Sequence, residues 1–226
     1  MERFNSFRQV HRGLRTILFD TALALQKTDF CNAEERKSAF ARLNLLLDMF
    51  DDHVSQESDY ILSLVYRFNP ELADEFEDEH QTGNMISKRL RVLISGNTSH
   101  DPESELRCGR SILKVFNEFI AFSLYHMNKE EDRVNKELWA NYEDDELIAV
   151  EQQMILSSGT KFFSLMEWIC KGSSCEEVAQ WLMQVKNFAP EEFFSAMINY
   201  AETELTECNW NEKILSNDTM VLKDVY

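Results

Sequence analysis

The sequence predicts an all-helical protein, and three observations carry that expectation. Apolar residues recur at intervals of three and four over long stretches, the period of an amphipathic helix. Punctuation is scarce, with six Gly and three Pro in 226 residues, so the elements should be long. Four of the five His fall on the apolar stripes of four successive stretches, and two of them precede a Glu by four positions. A helix advances 3.6 residues per turn, so His53 and Glu57 leave one face together, as do His126 and Glu130. Four helices are thus expected to bring four imidazoles and two carboxylates to one interior point.

Composition bounds the rest. An apolar fraction of 44% with sixteen Phe suits a packed helical chain better than a disordered one. At this length one compact domain with an appended part is expected. The net charge of -17 argues against nucleic acid or an anionic membrane as partner. No segment approaches the roughly 20 apolar residues of a membrane span, and MERFNSFRQVHRGLR lacks the apolar run of a signal peptide. Cys31, Cys108, Cys170, Cys175 and Cys208 are odd in number and form no CxxC pair, which points to free thiols. A soluble cytoplasmic protein is the expectation.

The first helix should open at Phe4, with Phe4, Phe7, His11, Leu14, Leu18, Ala22 and Leu25 on its stripe and Gly13 as a local weakness. TDFCNAEE interrupts the period, and Asn32 is a candidate N-cap for a second helix to about Phe68. There Leu43, Leu46, Phe50, His53, Glu57, Ile61 and Leu64 share a side, placing a glutamate where a core residue belongs. An unpaired carboxylate in that place costs several kcal/mol; the alternative is that the pair lies at the stripe's edge and reaches water. Asn69-Pro70 starts a third helix to about Ser95, because proline at the first position gives up only an orphan N–H. Its stripe is Phe76, His80, Gly83, Ser87, Leu90 and Ile94, with Gly96 closing it. Gly83 either opens space beside His80 or admits a bulky Phe.

The loop GNTSHD holds His100, read as an exposed histidine and not a ligand. Asp101-Pro102 starts the fourth helix, to about Tyr142, with Ile112, Phe116, Phe119, Ser123, His126, Glu130, Val134 and Leu138 inside and Lys129, Glu131 and Asp132 on solvated sides. From residue 144 to 210 a helical extension without histidine follows: ELIAVEQQMIL, KFFSLMEWIC, CEEVAQWLMQV and PEEFFSAMINYAETEL, broken at Gly159, Gly172 and Ala189-Pro190. Its Met and aromatic positions, Met166 and Trp181 among them, read as packing. Residues 211–226 read as a tail.

Singly, each histidine has a bland explanation as a hydrogen-bonded core residue. Six polar groups in one core need a common partner, and a cation satisfies imidazole lone pairs and carboxylates at once. Imidazole and carboxylate without thiolate favour iron, zinc, manganese or copper over calcium. Six ligands exceed the needs of one tetrahedral zinc. Two carboxylates with two oxygens each suit two adjacent ions, with two imidazoles apiece and open positions for dioxygen, nitric oxide or peroxide.

The order of a lone histidine, HxxxE, a lone histidine and a second HxxxE, in His11, His53–Glu57, His80 and His126–Glu130, resembles the hemerythrin-like family of HHE cation-binding domains over residues 4–142. The resemblance implies an up-and-down four-helix bundle over residues 1–143 holding a non-haem di-iron centre, oxo- or hydroxo-bridged. Glu57 and Glu130 would bridge the irons and His11, His53, His80 and His126 would be terminal ligands. Oxygen-carrying members have a further histidine where this chain has Asn84 and a bridging aspartate where it has the Lys129–Glu131 neighbourhood. Both departures make it more similar to the iron-sulfur repair and the iron- or oxygen-sensing members.

Three functions follow as expectations. The first is a di-iron protein that binds or reacts with dioxygen or nitric oxide in sensing, iron homeostasis or stress response. The second is an enzyme reducing nitric oxide, peroxide or oxygen, or supporting iron-sulfur repair, with Tyr60, Asn84 and Tyr125 nearest by helical phase. The third is a metal-free helical interaction module.

Overall fold

In the computed structural model, residues 3–96 and 101–205 are described; His100, Cys208 and the tail fall outside that range. Among the described residues every regular element is helical. The elements are α1 (Arg8–Lys27), α2 (Ala33–Gln56), a π-helical turn π1 (Glu57–Leu62), α3 (Ser63–Tyr66), α4 (Pro70–Ser95), α5 (Pro102–Lys129), a second π turn π2 (Glu130–Val134) and α6 (Asn135–Asn141). After these come α7 (Asp144–Ser158), α8 (Lys161–Lys171), α9 (Cys175–Lys186) and α10 (Glu191–Glu204). No described helix is long and apolar enough to cross a membrane.

Local chemistry sets the starts. The Asn32 side chain accepts from the backbone N–H groups of Glu34 and Glu35, Asn69 from Leu72 and Asp101 from Ser104, and proline holds the first position of α4 and α5. The expected start at Phe4 moves to Arg8. Asn5 Oδ1 instead accepts from Phe7 N–H at 2.9 Å, while Arg3 donates to the Trp139 and Tyr142 carbonyls and Trp139 Nε1–H to the Phe4 carbonyl. Those hydrogen bonds hold the segment before α1 against α6 in a form a helix cannot adopt.

The chain forms two compact units, one of Met1–Phe7 and Ile17–Glu143, the other of Arg8–Thr16 and Asp144–Tyr226, so that α1 is divided between them. In the first, α4 packs on α5 and on α2 and α3, around Leu46, Ile61, Phe76, Leu90, Ile112 and Phe116, all at most 2% exposed.

The second unit is built on an apolar cluster that includes Phe162, Met166, Ile169, Trp181, Leu182, Val185 and Met197. Gly13 and Gly172 lie where the first turns of α1 meet α8. A Cβ on Gly13 would come within 2.9 Å of Ile169 Cγ1 and Leu165 Cδ1, and one on Gly172 within 2.1 Å of Thr16 Oγ1. Ser174 and Glu177 form a capping box at the start of α9, and Arg12 reaches Glu177 at 2.6 Å. Cys31, Cys108 and Cys170 are free thiols as expected, whereas Cys175 is disulfide-bonded, against expectation.

Candidate metal centre

Each HxxxE pair sits where an α-helix gives way to a π turn. Glu57 opens π1 and Glu130 opens π2, and each glutamate N–H bonds back to the carbonyl of its own histidine. A π turn adds a residue to the helical repeat and is characteristic of functional sites. The buried face shifts after π1 but not after π2. Val65, 1% exposed, takes the core position expected for Leu64, while after Glu130 the four-residue spacing to Val134 and Leu138 stays inside, both fully buried.

All six residues singled out in the sequence are buried: His11 0%, His53 7%, Glu57 1%, His80 3%, His126 6% and Glu130 1% exposed. The edge-of-stripe alternative for His53 and Glu57 is therefore excluded. Two sets of four converge. His11, His53, Glu57 and Glu130 each offer a ligand atom within 4.8 Å of the others, and so do Glu57, His80, His126 and Glu130. The two glutamates are common to both sets, and each set contributes its own pair of imidazoles. Each set can hold a metal ion.

The ring orientations fit such an ion. His53 Nε2 lies 3.2 Å from Glu57 Oε2, His80 Nε2 3.5 Å from Glu57 Oε2 and 3.6 Å from Glu130 Oε1, and His126 Nε2 3.0 Å from Glu130 Oε1. The inner Nε2 atoms of His80 and His126 are buried and make no hydrogen bond among the described residues. Their outer Nδ1 atoms are occupied. His126 Nδ1–H donates to Glu79 Oε2 at 2.8 Å, and His80 Nδ1 lies 3.3 Å from Ser58 Oγ. A metal-bound imidazole has this arrangement, one nitrogen inward and the other held by an outer partner.

Electrostatics point the same way. Burial pulls the His80 pKa down, and the carboxylates of Glu130 and Glu57 more than reverse it, raising it to about 10. His126 is likewise raised, burial being outweighed by Glu130 and Glu79. Negative potential between the two glutamates thus attracts a cation, whether a proton or a metal ion.

Beside the centre lies a cavity of about 30 Å³, walled by His53, His80 and His126, by Phe50, Phe119 and Phe122, and by Asn84, Ser87 and Ser123. It shares Asp51, Val54, Asn84 and Ser87 with a surface basin that also includes Lys88 and Arg91. Gly83 meets both expectations for it. It lines the cavity, and it also admits the Phe122 ring, whose Cε1 would lie 2.9 Å from a Cβ there. That ring stacks on His126, with centroids 5.6 Å apart.

Sequence reasoning missed the charged groups around His126. Lys129, expected in solvent, is only 19% exposed; it pairs with Glu79 and lies 3.0 Å from Glu75, which Arg133 in turn grips. The signal was present as two matched i, i+4 pairs, the acids Glu75 and Glu79 on α4 and the bases Lys129 and Arg133 at the α5–π2 junction. Of the three outer candidates, Asn84 lines the cavity, Tyr60 is half-buried on π1 and outside the cavity lining, and Tyr125 is 70% exposed, which counts against a core role. Comparison with protein-family models, with curated proteins and with solved structures gave no match.

Proposed function

We propose that this chain holds two iron ions between Glu57 and Glu130, and that the pair binds or reacts with a small diatomic molecule, dioxygen or nitric oxide. In this reading α1, α2 with α3, α4, and α5 with α6 are the four helices of an up-and-down bundle. The observation that supports it is the sharing of both glutamates by two four-residue ligand sets. Two carboxylates offer four oxygens and offset half the charge of two divalent ions, and two neutral imidazoles for each leave coordination positions open. Bound iron would supply those open positions and a reversible change of oxidation state.

The chain's own residues supply the surroundings. Phe50, Phe119 and Phe122 keep one side of the cavity apolar, and Asn84 and Ser123 place hydrogen-bonding side chains in it. Its volume has room for about two water-sized groups, which suits a diatomic molecule. Imidazole and carboxylate ligands without thiolate also accept manganese or zinc, so iron is the metal to test first. Stopped-flow mixing of the reduced, iron-loaded protein with dioxygen or nitric oxide should give an absorbance change within the dead time or shortly after. An unchanged spectrum with both gases would defeat the reading.

A metal-free interaction module is the competing account, and the raised His80 pKa favours it to this extent: protons can neutralise the cluster in place of metal. It predicts identical melting with and without a chelator.

A further inference from the structure

Resting on the metal reading, the geometry assigns a role to Glu79, one position before His80 on α4. We propose that Glu79 is a positioning residue for His126: it accepts the Nδ1–H, fixes the ring's tautomer and plane, and keeps the Nε2 lone pair aimed between Glu57 and Glu130. The contact is short, 2.8 Å, and the Glu79 side chain is only 24% exposed. A carboxylate held against the outer nitrogen makes an imidazole a stronger donor to metal.

What sets Glu79 apart is that it is itself held. Lys129 pairs with it and with Glu75, and Arg133 donates two N–H groups to the Glu75 carboxylate. Phe76 lies within this ladder, with the Lys129 ammonium 5.3 Å and the Arg133 guanidinium 5.8 Å from its ring centroid, and its ring 5.7 Å from that of His126. One face of α4, carrying Glu75, Phe76 and Glu79, is thereby locked to the helical turn that carries His126 and Glu130. His80 has a weaker arrangement: the neutral Ser58 hydroxyl at 3.3 Å and the Glu77 carboxylate at 3.8 Å, beyond hydrogen-bond length. His126 belongs to only one of the two ligand sets. Loss of Glu79 should therefore weaken one ion position and spare the other.

The test is titration of the metal-free full chain with Co²⁺, followed by its visible d–d bands, for the wild type and for Glu79→Gln and Ser58→Ala. Wild type should take two equivalents. Glu79→Gln, which keeps a neutral acceptor but removes the charge, should weaken one equivalent about 10- to 100-fold and shift its bands, leaving the other unchanged. Ser58→Ala should have a smaller effect. If Glu79→Gln binds both equivalents as tightly as wild type, or weakens both alike, the proposal is overturned. If wild type binds no Co²⁺, the metal reading itself fails and takes the proposal with it. Should Glu79→Gln not fold, Lys129→Met replaces it: weakening of the same single equivalent supports the role, and unchanged binding overturns it.

Discussion

Around Glu57 and Glu130 the interior is made of ionisable groups at most 7% exposed, while α8, α9 and α10 bury Met166, Trp181, Leu182 and Met197 in an apolar cluster. Burying the second set is favourable by itself, at roughly 25 cal/mol per Å² of apolar surface with dispersion added. Burying the first set is unfavourable until a cation neutralises it. One interior is therefore stabilised chiefly by packing, and the other, if it holds the proposed ions, owes part of its stability to them.

The largest effect that would break this comparison is at a shared ligand. Glu57→Leu or Glu130→Leu should abolish binding of both ions, whereas His126→Ala should abolish one, as counted by elemental analysis. Chelation should act similarly. With metal at 1,000-fold above its Kd, removal costs about 4 kcal/mol. Hydrogen exchange should then rise in α2, α4 and α5 and stay unchanged in α8 and α9. Equal change in both groups of helices would contradict the contrast.

Next in size is Met166→Ala, at a side chain with no solvent exposure. It should cost about 2–5 kcal/mol in denaturant unfolding and leave the metal count untouched. Gly83→Ala is subtler. Alanine gains about 1 kcal/mol of helix propensity, but its Cβ displaces the Phe122 ring that stacks on His126. Stability should therefore move by less than about 1 kcal/mol while the visible spectrum of the iron-loaded centre shifts.

The smallest effect concerns pH. The Ser174 backbone N–H, followed by Arg12, lowers the Glu177 pKa from 4.5 to about 2. A depressed carboxyl stabilises the fold above its unfolded value and loses that contribution as pH falls from about 4.5 toward 2. The side chain is 43% exposed, so solvent screening keeps the contribution below about 1 kcal/mol. Glu177→Gln should flatten the acid limb of the stability curve by that amount and leave metal binding unchanged.

What was legible in the sequence was whatever local chemistry determines. Asn32, Asn69 and Asp101 cap because their side chains satisfy the first free N–H groups, and Gly159, Gly172 and Pro190 separate the later helices for backbone reasons. The six clustered polar residues were legible because a 3.6-residue period fixes which side chains share a face. The π turns were not, since an inserted residue leaves no compositional mark; the exchange of Val65 for Leu64 in the core is its only trace. Nor was the ladder from Arg133 to Glu79, because cross-helix pairing depends on how α4 and α5 are rotated against each other. A lysine such as Lys129, between two acidic stretches in the sequence, looks solvated until the facing helix is known.

The most direct measurement is the number of iron ions per chain after reconstitution, in wild type and in Glu130→Leu. Two in the wild type and none in the variant would be the mark of one pair of glutamates serving both ion positions. One ion persisting in Glu130→Leu, or none in the wild type, would contradict it.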